Sequence, residues 1–530
     1  MRKLIYGVLL AAVGFGAVSA KIHTNKTFLM PRSHNENMAM EYTTWHKTVR
    51  AIDESGDKFG ASFQAVPFYQ QSTNDTNLGK YFGMYNNATG ITPNVNKTIW
   101  NPYSGNVQDF IWVAQRDVTS DGNLNIHYQS LLLDTRFIFH GATHPYINVQ
   151  GLLRPDSESY GVRLDYHQNL DKITKGLYLK VTAPILEVKN RMGISYTSTT
   201  NQTIQAVNGA SGNHTLDDYL SGRYENTSVL NKQAKLTHAK VGSDSTSGVA
   251  DVDVTLGYNF LYREDKHCGV NVCMTIPTGG SPNGDMLFEA VVGNGGHFAL
   301  GIGVDSAFEL WKSKSRTLEM LLAANYKYLF DSTEVRTLNI KYRTISTDTY
   351  LVSNKVIGHG FYLLGGKNAV KGVFPLANVL TREVGVHPSS MFEGLASFCM
   401  NWGKFSWDLG YNLFAKGCES VTMVKNWPEN TYAVADPSYT GGYSFGGVGN
   451  TGIWQGSRAN PGEYIRLQDL DLVADQTPVY VTHKIFTGVG VTFDWRFPLL
   501  FGLGGSWEWA QGSNSALDGW ALWGKLGVCF

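Results

Sequence analysis

The sequence predicts an all-β protein, a transmembrane antiparallel up-and-down β-barrel of about 14 strands. Three observations carry that expectation. Long windows alternate apolar and polar side chains residue by residue, the connections between them are alternately short and long, and the composition is rich in glycine and poor in charge. Of 530 residues, 57 are glycine, 16 are proline and 17% are charged, against roughly 25% charged in an average soluble domain. The 44 basic and 44 acidic side chains cancel, so no net charge recommends nucleic acid as a partner.

The elements follow in chain order. Arg2 and Lys3 precede an apolar stretch, 4–18, that ends in Val18-Ser19-Ala20, the layout of a secretory signal peptide over residues 1–20. No later stretch approaches the ~20 apolar residues of a membrane-spanning helix, so strands must make any crossing. Residues 21–57 are expected to be a lead-in or partial plug, and 58–530 the barrel. Residues 39–52 alternate weakly through Met40, Tyr42 and Thr44; counted as a strand together with a short one near Phe28, they would bring the total to about 16.

Alternation is clearest in 485–497, where Ile485, Val489, Val491 and Phe493 share one face and Gly488, Gly490, Thr492, Asp494 and Arg496 the other. Strand side chains alternate between faces, so one face is apolar and the other small or charged. The same pattern sets Leu300, Ile302 and Val304 against Gly301, Gly303, Asp305 and Glu309, and recurs in 318–330 and 252–263. Such windows exceed the ~5–6 residues of ordinary strands and reach the ~9–11 that a membrane crossing needs. Predicted strands lie at 58–70, 107–118, 124–140, 160–170, 176–186, 252–263, 269–277, 297–311, 316–330, 391–401, 405–416, 483–497, 499–510 and 519–530. Tight links such as 312–315 alternate with long ones such as 187–251 and 417–482. Short periplasmic turns and long external loops are this asymmetry, and a sandwich has no reason to keep it.

On the polar face, Asp253, Arg263, Asp305, Glu309, Glu319, Lys327, Asp408, Asp494, Arg496, Glu508 and Lys525 are the candidate lumen-lining residues. Both signs occur, so strong ion selectivity is not expected. Tryptophans 112, 402, 495, 507, 509 and 520 fall toward predicted strand ends, where interfacial girdles sit. The five cysteines do not space as a staple framework: Cys268 and Cys273 on one extended run lie roughly 16 Å apart, too far for a bridge.

The last strand, Trp520-Ala-Leu-Trp-Gly-Lys-Leu-Gly-Val-Cys-Phe530, resembles the terminal strand of bacterial outer-membrane β-barrel proteins of the porin-like kind. The resemblance implies outer-membrane residence among lipid, recognition of Phe530 by the barrel-assembly machinery, and a periplasmic C-terminus; homotrimers are common among the porins it resembles. Ile276-Pro-Thr-Gly279 followed by Val292-Gly-Asn-Gly295 is similar to segments of barrels that import hydrophobic or aromatic compounds. It identifies no substrate residue here.

Other motifs reduce to structure. In 360–368 Phe361 stands where a phosphate loop needs its first glycine, and Asn368 replaces the magnesium-binding Ser or Thr. His140 and His144 flank Gly141 and precede Pro145, which makes a loop rather than a metal helix. Seven Asn-x-Ser/Thr sequons are what an Asn- and Thr-rich chain yields by chance. No catalytic residue, metal or cofactor is expected. The leading functional expectation is a porin-like channel for passive diffusion of small solutes. The alternatives are a surface adhesin or structural coat barrel, and a hydrophobic-solute transporter with an N-terminal plug.

Overall fold

The computed structural model describes residues 22–23, 26–45, 60–82, 114–118, 124–128, 149–199, 203–205, 213–215, 220–223, 235–263, 265–340, 362–365, 373–429, 431–434, 465–493 and 496–530. Twelve antiparallel strands form the wall: β1 (Ala61–Ser72), β2 (Val149–Asn169), β3 (Leu177–Thr199), β4 (Val252–Arg263), β5 (Lys266–Ile276), β6 (Ala299–Ser313), β7 (Arg316–Leu329), β8 (Ser390–Trp402), β9 (Phe405–Lys416), β10 (Tyr480–Phe493), β11 (Leu499–Ala510) and β12 (Gly519–Cys529). Each pairs with its sequence neighbour, and β12 returns to β1 through the ladder from Ser62↔Cys529 to Ser72↔Gly519, so the sheet closes on itself. Closure satisfies every wall strand on both edges, which is the condition for placing strands in lipid.

The expected 14 or 16 strands are corrected to twelve. Residues 114–118 and 124–128 do form a hairpin, but among the described residues they pair only with each other, and β1 pairs directly with β2. In the ring β1 is therefore followed directly by β2. The alternating stretch at 39–52 begins as a one-turn helix, α1 (Met38–Tyr42), not a strand. A thirteenth strand of the same sheet, Ser243–Val249, pairs with β3 above β4 and lies outside the ring.

Short connections join β4 to β5, β6 to β7, β8 to β9 and β10 to β11; long ones alternate with them, so one rim is trimmed and the other carries the loops. Outward residues form an apolar belt. Ile302, Val489, Leu503 and Leu522 are each more than half exposed, which in water would be a large adhesive patch. Aromatics bound the belt: Trp311, Trp402, Phe405, Phe493 and Phe530 toward the short-turn rim, Tyr326, Tyr328 and Trp507 toward the loops. Along the β7–β8 ladder the girdles lie twelve residues apart, from Tyr328↔Ser390 to Arg316↔Trp402. At ~3.3 Å per residue and a ~40° tilt that spans roughly 30 Å, the depth of a bilayer core. The architecture is that of a membrane-spanning β-barrel.

Candidate functional site

The lumen is filled by the chain's own N-terminal segment, residues 26–45. That placement follows from contacts: within 14 residues the segment bonds to β1, β2, β3, β7, β8, β9, β11 and β12, and a strand of chain can touch opposite sides of a closed ring only from within. It runs from the loop rim toward the short-turn rim, since its start meets the long loops and Thr44 meets Asp408 near the beginning of β9.

At the loop rim, Thr27 Oγ1 donates to the carbonyl of Thr337 (2.6 Å), Tyr81 Oη donates to that of Phe28 (2.8 Å), and the Met30 amide donates to Thr477 Oγ1 (2.9 Å). The Arg336 guanidinium lies 3.8 Å from the Phe28 ring centroid, fixed between Glu334 (2.7 Å) and Glu419 (2.8 Å). Burial alone would raise the Glu419 carboxyl; Arg336 and Lys416 beside it hold it well below the usual range. Nearby Asp475 has the opposite fate. Burial pushes it up to about 8, and neither carboxylate oxygen has a hydrogen-bond partner among the described residues.

One layer down, Arg32 spans Glu393 (2.5 Å), Asn412 (2.9 Å) and Glu508 (2.8 Å), while Glu36 meets Lys327 (2.6 Å), which also holds Asp253 (3.0 Å). At mid-height α1 puts Met38, Ala39 and Met40 into an apolar collar of Val66, Phe68, Leu321, Leu395, Phe486 and Trp523. Asn37 caps α1 through its side chain and receives Lys484 Nζ. Below the collar, Glu41 meets Arg163 (2.7 Å) and Lys180 (2.5 Å), and its carbonyl accepts from Lys525 Nζ (2.7 Å). Last, Thr43 and Thr44 lie in a trough of wall glycines. A Cβ at Gly488 would stand 2.2 Å from Thr43 Cγ2, one at Gly490 2.9 Å from Thr44 Cβ, and one at Gly502 2.9 Å from Thr44 Oγ1.

Of the residues singled out from sequence, Asp253, Lys327, Asp408, Glu508 and Lys525 meet here, in contact with the segment or its partners. Asp305 faces inward but serves the wall, accepting from Tyr178 Oη (3.0 Å) and lying 3.0 Å from His267 Nε2. Glu319 is buried opposite Glu309, which lies 3.7 Å from Lys312. Arg263 is exposed at the β4–β5 turn, and Arg496 is exposed in the turn after β10, because the strand ends at Phe493 before the alternation does. Asp494 lies outside the described residues. Phe530 follows β12 and exchanges backbone hydrogen bonds with Ala61 (2.7 and 2.9 Å).

Sequence reasoning missed Arg32, Glu36 and Glu41 on the segment and Arg163, Lys180, Glu393 and Lys484 on the wall. Lys484 carried a usable signal, since it continues the inward parity one residue before the alternating window. Glycine at inward positions 488, 490 and 502 carried another: a wall that faces water has no need to be bare, and one that receives a peptide does. Among the described residues no cluster of three His, Cys, Asp or Glu side chains could hold a metal ion.

Comparison with known proteins finds no matching family model and no matching curated protein. Among solved structures, an outer-membrane channel from Pseudomonas putida F1 is 11% identical, with 90% of this chain and 98% of that one covered at a TM-score of 0.34. A Pseudomonas aeruginosa FadL homologue is 8% identical over 95% and 99% of the two chains (TM-score 0.29), and the CymD monoaromatic hydrocarbon channel 7% over 96% and 98% (TM-score 0.26).

Proposed function

We propose that this protein resides in a bacterial outer membrane as a channel that its own N-terminal segment keeps shut, and that it carries a small solute of apolar character when that segment shifts. The observation that carries the reading is the layered lumen: an apolar collar around α1 between two layers of ion pairs. A passive, open porin is the less favoured form, because α1 packs in a buried apolar collar across the lumen. The charged layers argue for movement over permanent closure. Their side chains can take water in place of each other as the segment shifts, whereas an all-apolar core offers water no partner. The collar itself would then meet the solute, which favours apolar cargo. The filled lumen also suits a barrel that only displays its loops, the second reading.

Planar-bilayer recording separates the two. The full chain should show rare, small openings, and deletion of residues 22–45 should give a steady conductance. A deletion barrel that folds, judged by its heat-dependent shift on SDS gels, and still passes no current overturns the channel reading in favour of display.

A further inference from the structure

On the loop rim, away from the lumen, a three-stranded sheet of Ser332–Thr337, Thr381–His387 and Ser420–Met423 has two occupied sides. Its inner side presents Glu334 and Arg336 to Phe28. Beside it opens a cavity of about 220 Å³, with Val335, Met423, Trp427 and Pro428 as apolar wall and Arg382 and Lys425 among the remaining lining. Most of its cations are answered. Lys425 is paired with Glu383 (2.5 Å), and His238 lies 3.1 Å from Asp285. Arg382 is not: its Nε donates to the carbonyl of Val379 (2.8 Å) and its plane sits 5.4 Å from the Trp427 ring, but no carboxylate pairs with it among the described residues. Trp427 is itself fixed, 4% exposed with its indole N–H donated to the carbonyl of Ile465 (2.7 Å).

We propose that this cavity is a binding site for a small amphipathic anion, a carboxylate on a compact apolar body. The guanidinium supplies two terminal N–H groups in the fork that matches a carboxylate, and the valine, methionine and tryptophan surfaces receive the body. Both requirements act together, so a neutral analogue loses the fork and an apolar-free anion loses the wall. The site lies one sheet away from the start of the luminal segment. It does not depend on the channel reading.

The test uses the full-length barrel in non-ionic detergent, with benzoate as probe and benzyl alcohol and acetate as controls, titrated calorimetrically. Benzoate should bind at least about ten-fold more tightly than either control. Arg382→Gln should erase that advantage, and Met423→Ala should weaken benzoate without restoring the alcohol. Both variants should keep the heat-dependent gel shift of the folded barrel, since both side chains border a cavity at the loop rim. Absence of benzoate binding, equal binding of benzyl alcohol, or an unchanged affinity in Arg382→Gln would each overturn the proposal, whatever the conductance of the deletion barrel.

Discussion

Adjacent residues of β10 show how one step along a strand changes the physical question. Val489 is 53% exposed on the belt, whereas Gly490 faces Thr44 with no room for a Cβ. Arginine at Val489 places a charge on the lipid face and should cost roughly 2–4 kcal/mol, read as lower folded yield. Valine at Gly490 adds no charge and leaves the belt intact, but must push Thr44 out of the trough. That barrel should fold and conduct more than the parent. A Gly490→Val protein as closed as the parent would show that the trough does not hold the segment. Asp475 poses a pH question. Its carboxyl is raised from about 4 in the unfolded chain to about 8 in the folded one. Between those values the unfolded state releases the proton and the folded state keeps it, so the contribution of Asp475 to stability is greatest below about pH 4 and falls as pH rises toward 8. Asp475→Asn removes the dependence. Its gel-shift temperature should exceed the parent's at pH 8 and approach it at pH 5; parallel pH curves for the two proteins would sink the assignment.

At the scale of elements, the last strand closes the ring. Ala61 and Phe530 exchange two backbone hydrogen bonds at the seam, and the Phe530 side chain stands in the short-turn girdle. Deleting Phe530 removes both bonds and one anchor, and should lower folded yield several-fold more than deleting Asn450 in the long 417–479 connection. Heat-shifted bands of equal strength would deny the terminal residue a special part. The strands themselves were largely legible in the sequence. The windows at 252–263, 316–330, 405–416 and 499–510 lie within a residue of β4, β7, β9 and β11, because period-two alternation is imposed by lipid on one side and polar lumen on the other. Hairpin 114–128 was legible as a hairpin but not as an outsider, since local turn chemistry is silent on which partner a strand finds. Residues 38–42 misled for a related reason. Met38, Ala39, Met40 and Tyr42 all pack in the collar, so burial on every side blurred the one-faced periodicity that identifies a helix.

For the whole molecule, the decisive property is that wall and segment share their charges. The described inward side chains of the wall include the cations Arg163, Lys180, Lys327, Lys416, Lys484 and Lys525 and the acids Asp165, Asp253, Asp305, Glu319, Glu393, Asp408 and Glu508. Seven acids face six cations, and near the short-turn rim Arg263 and Glu309 add one of each. With the segment in place, Arg32 occupies Glu393 and Glu508 while Glu36 and Glu41 occupy Lys327, Arg163 and Lys180, and the lumen presents little unpaired charge. Sequence alone showed both signs on the polar face and gave no reason to expect strong selectivity. The inventory of the closed wall refines that to a mild acidic excess, which rings of carboxylates convert into cation preference. Deletion of residues 22–45 should therefore give a barrel that prefers potassium over chloride in a salt gradient. Adding Glu393→Gln and Asp408→Asn to the deletion should abolish the potassium preference, because removing two wall acids cancels the excess. An unplugged barrel that prefers chloride would mean that the wall carboxylates stay paired to wall lysines when the segment leaves, and that the ions follow a different part of the lumen.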